Sequence, residues 1–514
     1  MTQIIRPPPE VCVKVGSDPS LEPFNQVTGS DRIPGPAEGG ITLIQSPPGA
    51  MLYTNATIIT MNRRREILSD GALLVDGTRI GAVGKTAELA RRFPDEQAFD
   101  CQGGIMLPGL VDTHVHMAQT MLRGISEGRP LAGFGQWLFG RIFPLQGSYQ
   151  PGDARASAAL CLLEMIKSGT TAFVECLLAE HYGLDQLARL CLDSGIRAAL
   201  GNVVMDVSPQ TRDATGWHPG MWQTRESGIE ATIAGHRRWT DEDGRLQIWF
   251  GCRSLEPAND LSLFPEVSEL SQAHDIGLTI HLAEQESDND YARSLGHRSH
   301  VELAHSLGLL GPRTILAHCT AADEEDIVLL AETGTTVAHC PANNSATGWG
   351  PARIDEMLDA GVNVTLGCDG APTNANMDLL RDLRIACHVT RMRRHSRQAL
   401  SPERVLEMAT RNGAKALGLE GKTGSLEPGM KADFIVIDVD APHLQPVWNP
   451  VATVVFAAQG ADVDTVVVDG RELMSRREVK SLDEESILAD VRTRHLDVAA
   501  RAGVDGLGSE WPLL

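Results

Sequence analysis

Between Gly109 and about Leu419 the chain alternates short β-like runs with helix-like segments, eight times over. The runs are GLVDTHVH, TTAFVEC, RAALGNVVM, LQIWFGC, LTIHLAE, TILAHC, TVAHCP and VTLGCDG. Segments between them, such as ASAALCLLEMIKSG, LDQLARLCLDSG and RIDEMLDAG, end in glycine, a common helix stop. Eight strand–helix units give the count of a closed, TIM-like (β/α)₈ barrel, so the expected fold class is α/β. A doubly wound open sheet is the competing architecture. It would carry a Gly-rich phosphate loop after its first strand, and DTHVHMAQ is not one.

The flanks read differently. Residues 1–49 are rich in Pro and Gly (RPPPE, DRIPGPAEGG) without a sustained period, and are expected to form an extended arm. Short β-runs with turns occupy 50–108 and return at 420–478, in MLYTNATIITM, GALLVDGTRIGAVG, GSLEPGMKADFIVIDVD and ATVVFAAQGADVDTVVVDG. The expectation is one small β-sandwich domain built from both flanks beside a barrel spanning 109–419. Residues 479–514 should form a C-terminal helix and tail.

The net charge of −22, from 67 acidic against 45 basic residues, disfavours nucleic acid or an anionic membrane as partner. No apolar stretch of about 18 residues suits a bilayer, and the N-terminus lacks the apolar core of a signal peptide. The ten cysteines form no CxxC pair and several lie inside apolar runs, as expected of reduced thiols in a cytoplasmic protein. Arms at both ends suggest a homodimer or higher homo-oligomer, because such segments often find order on a neighbouring subunit.

Catalytic residues of a barrel lie at the C-terminal ends of its strands. Four runs place chemistry there: LPGLVDTHVH (His114, His116), LTIHLAE (His281, Glu284), TILAHC (His318) and VTLGCDG (Asp369). A strand turns alternate side chains to one face, so His114 and His116 can grip one ion. A lone HxH motif more often reports a hydrogen-bonded core histidine; four such segments in this order point to a metal-dependent hydrolase. Three His and one Asp (His114, His116, His281, Asp369) suit one divalent ion per subunit, Zn²⁺ or Fe²⁺, and leave a position for water. Bound to the ion, that water would have a pKa near about 7. Glu284 would carry protons to and from it, His318 would hydrogen-bond it, and Asp369 would orient it as well as ligate. The fourth strand ends WFGCRS, without the lysine that often bridges two ions, and Glu175 is read as supporting the ligands rather than holding a second ion.

At these residues the chain resembles the amidohydrolase superfamily, in its nucleobase and s-triazine aminohydrolase branch. The likeness runs from about Leu52 onward through LPGLVDTHVH, SGTTAFVE, HLAE, AHC, LGCDG and GSLEPGMKADFIVID. It is closer to atrazine chlorohydrolases and melamine deaminases in HVHMAQTMLRG, FGQWLFGRIFP and CDGAPTNANMDLLRDLR. The resemblance implies displacement of an exocyclic amine from a small N-heteroaromatic substrate. It also implies a pocket built from Gln119, Phe134, Trp137, Met205 and Asn374. The same machinery would expel chloride or an alkylamine from an s-triazine. Cyclic amide hydrolysis is disfavoured by the missing lysine, and a non-catalytic binding module by the complete ligand set. Members that deaminate thioadenosine-type nucleosides carry a further His after the fourth strand. CRSLEPAND has none, which counts against a nucleoside, and Gly370 and Thr373 depart from the triazine enzymes. His339 is read as structural.

Overall fold

The computed structural model describes residues 50–125, 133–255 and 259–504. The arm expected over 1–49 lies outside the described residues.

Five strands precede the barrel: β1 (Met51–Ile59), β2 (Ile67–Asp76), β3 (Arg79–Lys85), β4 (Gln97–Asp100) and β5 (Ile105–Pro108). The barrel follows as β6 (Leu110–Val115), β7 (Thr170–Leu178), β8 (Arg197–Val204), β9 (Leu246–Cys252), β10 (Leu278–Leu282), β11 (Thr314–His318), β12 (Thr336–His339) and β13 (Asn363–Leu366). Four more strands come after it: β14 (Phe434–Ile437), β15 (Val463–Val468), β16 (Arg471–Ser475) and β17 (Glu478–Val479).

Strands β6 to β13 pair in parallel in chain order. The ends of this sheet meet where the Asp369 amide donates to the His114 carbonyl at 2.7 Å and the Thr113 hydroxyl donates to the Leu366 carbonyl at 2.9 Å. Every barrel strand is buried on both faces, which is why these runs read as continuously apolar rather than alternating. Inside, Val111, Val174, Trp249 and Ile315 fill the end away from the site and pack against Ala414 and Leu417 of the segment that follows the barrel.

The outer nine strands form a second sheet in the order β17-β16-β15-β14-β5-β1-β2-β3, with β4 beside β1. Tyr53, Ile58, Leu73, Met106, Phe434 and Val467 make its own apolar core, while Ile59, Ile105 and Ile435 join the core around the barrel. A buried ion network ties the two parts together: Arg197, which opens β8, donates to Asp433 at 2.5 and 3.1 Å and to Asp469 at 2.6 Å. The helix Glu484–Ala502 packs on Asp153–Lys167, with Arg494 donating to Asp153 at 3.0 Å. Among the described residues no helix is long and apolar enough to cross a membrane.

Candidate active site

The C-terminal ends of the barrel strands are bent rather than extended. Ala283, His318, Cys319 and Asp369, each at or just past a strand end, adopt left-handed backbone with φ of 49°, 76°, 48° and 63°. Each costs about 1–3 kcal/mol without glycine's freedom, strain that clusters where side chains must be aimed. Gly367 lets the last strand approach the first: a Cβ there would lie 2.6 Å from His114 Cβ.

These bends bring four donors together. His116 Nε2 lies 3.1 Å from His281 Nε2, and Asp369 Oδ1 lies 3.3 Å from His116 Nε2 and 3.7 Å from His114 Nε2. His281 Nδ1–H donates to the Arg253 carbonyl at 2.7 Å, so its Nε2 turns a lone pair inward. Both ring nitrogens of His114 are buried without a hydrogen-bond partner. Burial pushes the His114 and His281 pKa values well below the usual range and that of His116 down to about 3. The imidazoles are therefore neutral, as ligation requires. Lone pairs converging on a buried orphan imidazole and a carboxylate fit one zinc or iron(II) ion.

Around this cluster, His318 Nε2 stands 3.5 Å from Glu284 Oε1 and 3.7 Å from Asp369 Oδ2. Its Nδ1–H donates to Asn344 Oδ1 at 3.0 Å, fixing the ring so that Nε2 faces the carboxylates. Burial raises the Asp369 pKa to about 6, and the nearby His318 opposes that rise. Glu175 accepts from the Met117 amide at 2.6 Å and the Leu177 amide at 2.9 Å, pinning the turn that follows His116.

A pocket of about 820 Å³, counting its open mouth, stands over the cluster. His116, His281, Glu284, His318 and Asp369 form its polar floor; Gln119, Trp137 and Met205 line it together with Trp217, Met221 and Trp349. Phe134 opens the helix Phe134–Trp137, but its side chain lies outside the described part. Asn374 is not brought to the pocket. Its amide donates to Asp382 Oδ2 at 3.3 Å and accepts from Arg381, so both ends are engaged behind the floor. His339 is fully buried, its ring makes no hydrogen bond, and it lies outside the pocket.

Besides Trp217, Met221 and Trp349 of the wall, three residues close to the cluster escaped the sequence reading. Arg253 lines the pocket beside Glu284, its Nη1 3.9 Å from Oε1, and sits in WFGCRS at the end of the fourth barrel strand. Asn344 left no signal beyond the PANNSAT turn. Cys176 Sγ packs 3.8 Å from His281 Nδ1, the nitrogen that donates to the Arg253 carbonyl, rather than beside the inward-turned Nε2.

The sequence model of the amidohydrolase family matches residues 105–473, and that of an imidazolonepropionase-like composite domain of bacteria matches residues 71–95. A 5-methylthioadenosine/S-adenosylhomocysteine deaminase of Pelotomaculum thermopropionicum is 34% identical over 88% of this chain and 99% of its own length. A 5'-deoxyadenosine deaminase of Methanosarcina acetivorans is 32% identical over the same shares, 88% and 99%. Among solved structures, an adenosine deaminase from Xanthomonas campestris with bound zinc superposes with a TM-score of 0.80 at 26% identity, covering 89% of this chain and 100% of the other. An atrazine chlorohydrolase of Arthrobacter aurescens TC1 complexed with zinc gives 0.79 at 26%, covering 87% and 100%.

Proposed function

As a member of the amidohydrolase family the chain is a hydrolase of carbon–nitrogen bonds in cyclic amidines, and we propose that Glu284 and His318 run its removal of an exocyclic amine from an N-heteroaromatic ring. The observation that carries this reading is the meeting of His114, His116, His281 and Asp369 at the base of a largely apolar pocket, His114 just beneath its floor, with Glu284 and His318 beside them. Those four residues would hold one zinc or iron(II) ion. When bound, the ion supplies Lewis acidity that makes water a nucleophile near neutral pH.

Glu284 carries the first proton of the attacking water to a ring nitrogen and then the proton of the added hydroxyl to the departing amine, so that ammonia leaves and an oxo group replaces it. His318 Nε2, held by Asn344, steadies the charge that develops between Glu284 and Asp369. Trp137 and Met205 wall the flat ring and exclude water, and Gln119 offers its amide to a ring nitrogen. The reading extends to a cytoplasmic homo-oligomer with one ion per subunit.

Zinc-loaded protein incubated with adenine nucleosides, aminopurines, pterins, aminopyrimidines and s-triazines tests it. Ammonia release from at least one aminated ring is the expected outcome. Release of chloride from a chlorotriazine, with ammonia from none of the amines, would replace it with dechlorination.

A further inference from the structure

The helices Pro402–Met408 and Pro450–Phe456 and the end of β1 enclose a groove of about 760 Å³, counting its open mouth, that shares no lining residue with the active-site pocket. Ile59, Met61, Ile67, Leu406 and Val451 make its lining apolar, and Trp448 stands at its rim. Trp448 is 91% exposed, the most of any large apolar side chain among the described residues, and Ile67 is 43% exposed. The indole therefore neither fills the groove nor packs against its own chain. Its loop is fixed on both sides. Gln445 donates to the Val439 carbonyl at 2.8 Å, and Asn449 Oδ1 accepts from the Ala452 amide at 3.1 Å, capping the helix that begins at Pro450. A side chain displayed on a fixed loop costs little to order on binding, and an exposed apolar patch marks a contact surface.

Charge identifies the occupant. The chain carries a net charge of −22, so two copies repel over most of their surface. Around the groove the signs balance, with Arg63, Arg64 and Arg65 against Glu66, Glu403 and Glu407. Arg65 pairs with Glu407 at 2.5 Å and Arg64 with Glu66 at 3.7 Å, whereas Arg63 and Glu403 form no ion pair among the described residues. One free charge of each sign on one patch suits a partner that presents the same patch.

Deepening the homo-oligomer reading above, on which it rests, we propose that this groove is the contact between two copies of the chain, with the Trp448 of each seated in the groove of the other. Knob and hole lie on one patch, so the contact is self-complementary and closes as a pair; on separate faces they would build open chains. The same two-fold axis offers each Arg63 the Glu403 of the opposite copy. Each indole buries about 200 Å², and the apolar lining and charged rim supply the rest of the about 800 Å² per partner that a stable contact needs.

The test is light scattering and sedimentation velocity on full-length wild type, Trp448→Glu and Ile67→Glu over a wide concentration range, with circular dichroism of each. Both substitutions are expected to raise the dissociation constant of the pair by about 100-fold or more, because each enters a two-fold contact twice and an interfacial tryptophan is a typical hot spot. Trp448→Glu decides the matter if Ile67→Glu fails to fold. A photo-crosslinking residue at position 448 gives a second readout that needs no loss of assembly. The expected product has the mass of two chains on a denaturing gel, joined at Met61, Ile67 or Leu406. A pair that persists unchanged in Trp448→Glu would overturn this contact and leave the homo-oligomer standing. Cross-links confined to residues 1–49 of the same chain would give the groove to that segment instead and overturn it too. A wild type with the mass of one chain at every concentration would overturn both readings.

Discussion

Glu284 and His281 lie three residues apart in HLAE, yet substitution should separate their roles. Glu284→Gln keeps size and hydrogen bonding but removes the proton acceptor. Zinc content should stay unchanged while turnover falls by about 10² or more, as expected of positioned acid–base catalysis. His281→Ala removes an inward lone pair and should lower metal content and activity together. Near-normal turnover in Glu284→Gln would move the proton work to His318 or Asp369. Both residues were legible because ligand and acid–base residue types sit at strand ends that periodicity exposes. Asn344 was not: its amide matters only because it meets His318 across 26 residues, and nothing local to PANNSAT encodes that meeting. Asn374 misled for the reverse reason, since an amide one loop from Asp369 looks free until Arg381 and Asp382 engage it.

At the scale of elements, the alternation of β-runs and glycine-stopped helices carried the eight barrel strands in order, because each strand hides both faces and each helix one. Periodicity could not carry the irregular register of β6 against β7, nor the left-handed residues that aim His318 and Asp369. Such features are stabilised by neighbours distant in sequence. The joint between barrel and outer sheet is of the same kind: Arg197, fully buried, faces Asp433 and Asp469, drawn from segments more than 200 residues away. Arg197→Met would leave both carboxylates short of a partner, with Arg245 and Lys431 still near Asp469. A loss of about 3–5 kcal/mol in denaturant unfolding is expected, the cost of breaking a buried pair from one side. The pH dependence has a defined sign. Burial alone would raise the Asp469 pKa, but Arg197, Arg245 and Lys431 hold it below 3.8. Its contribution is therefore present above the unfolded value and is lost as pH falls through the folded one. Melting curves below about pH 4 should show this acid loss in wild type and a smaller one in Arg197→Met. Equal acid sensitivity would remove Asp469 from the joint.

For the whole molecule, the buried ligand set couples metal to stability. Three neutral imidazoles and a carboxylate, none more than 8% exposed, point polar atoms at one another, an arrangement that a divalent ion satisfies. An ion that binds the folded chain alone stabilises it by about 4 kcal/mol at a thousandfold excess over its Kd. Dialysis against a chelator should therefore lower Tm and abolish activity, and zinc or iron(II) should restore both. β9 ends without a lysine and Glu175 is engaged by two backbone amides, which are the grounds for expecting a single ion. Light scattering with metal analysis on a single chromatographic peak measures stoichiometry and assembly together. The expected result is one ion per chain at a multiple of 55.4 kDa. Two tightly held ions per chain would overturn the mononuclear centre. A constant mass of one chain at every concentration would overturn the homo-oligomer while leaving the centre intact, because every proposed ligand belongs to the same chain's barrel.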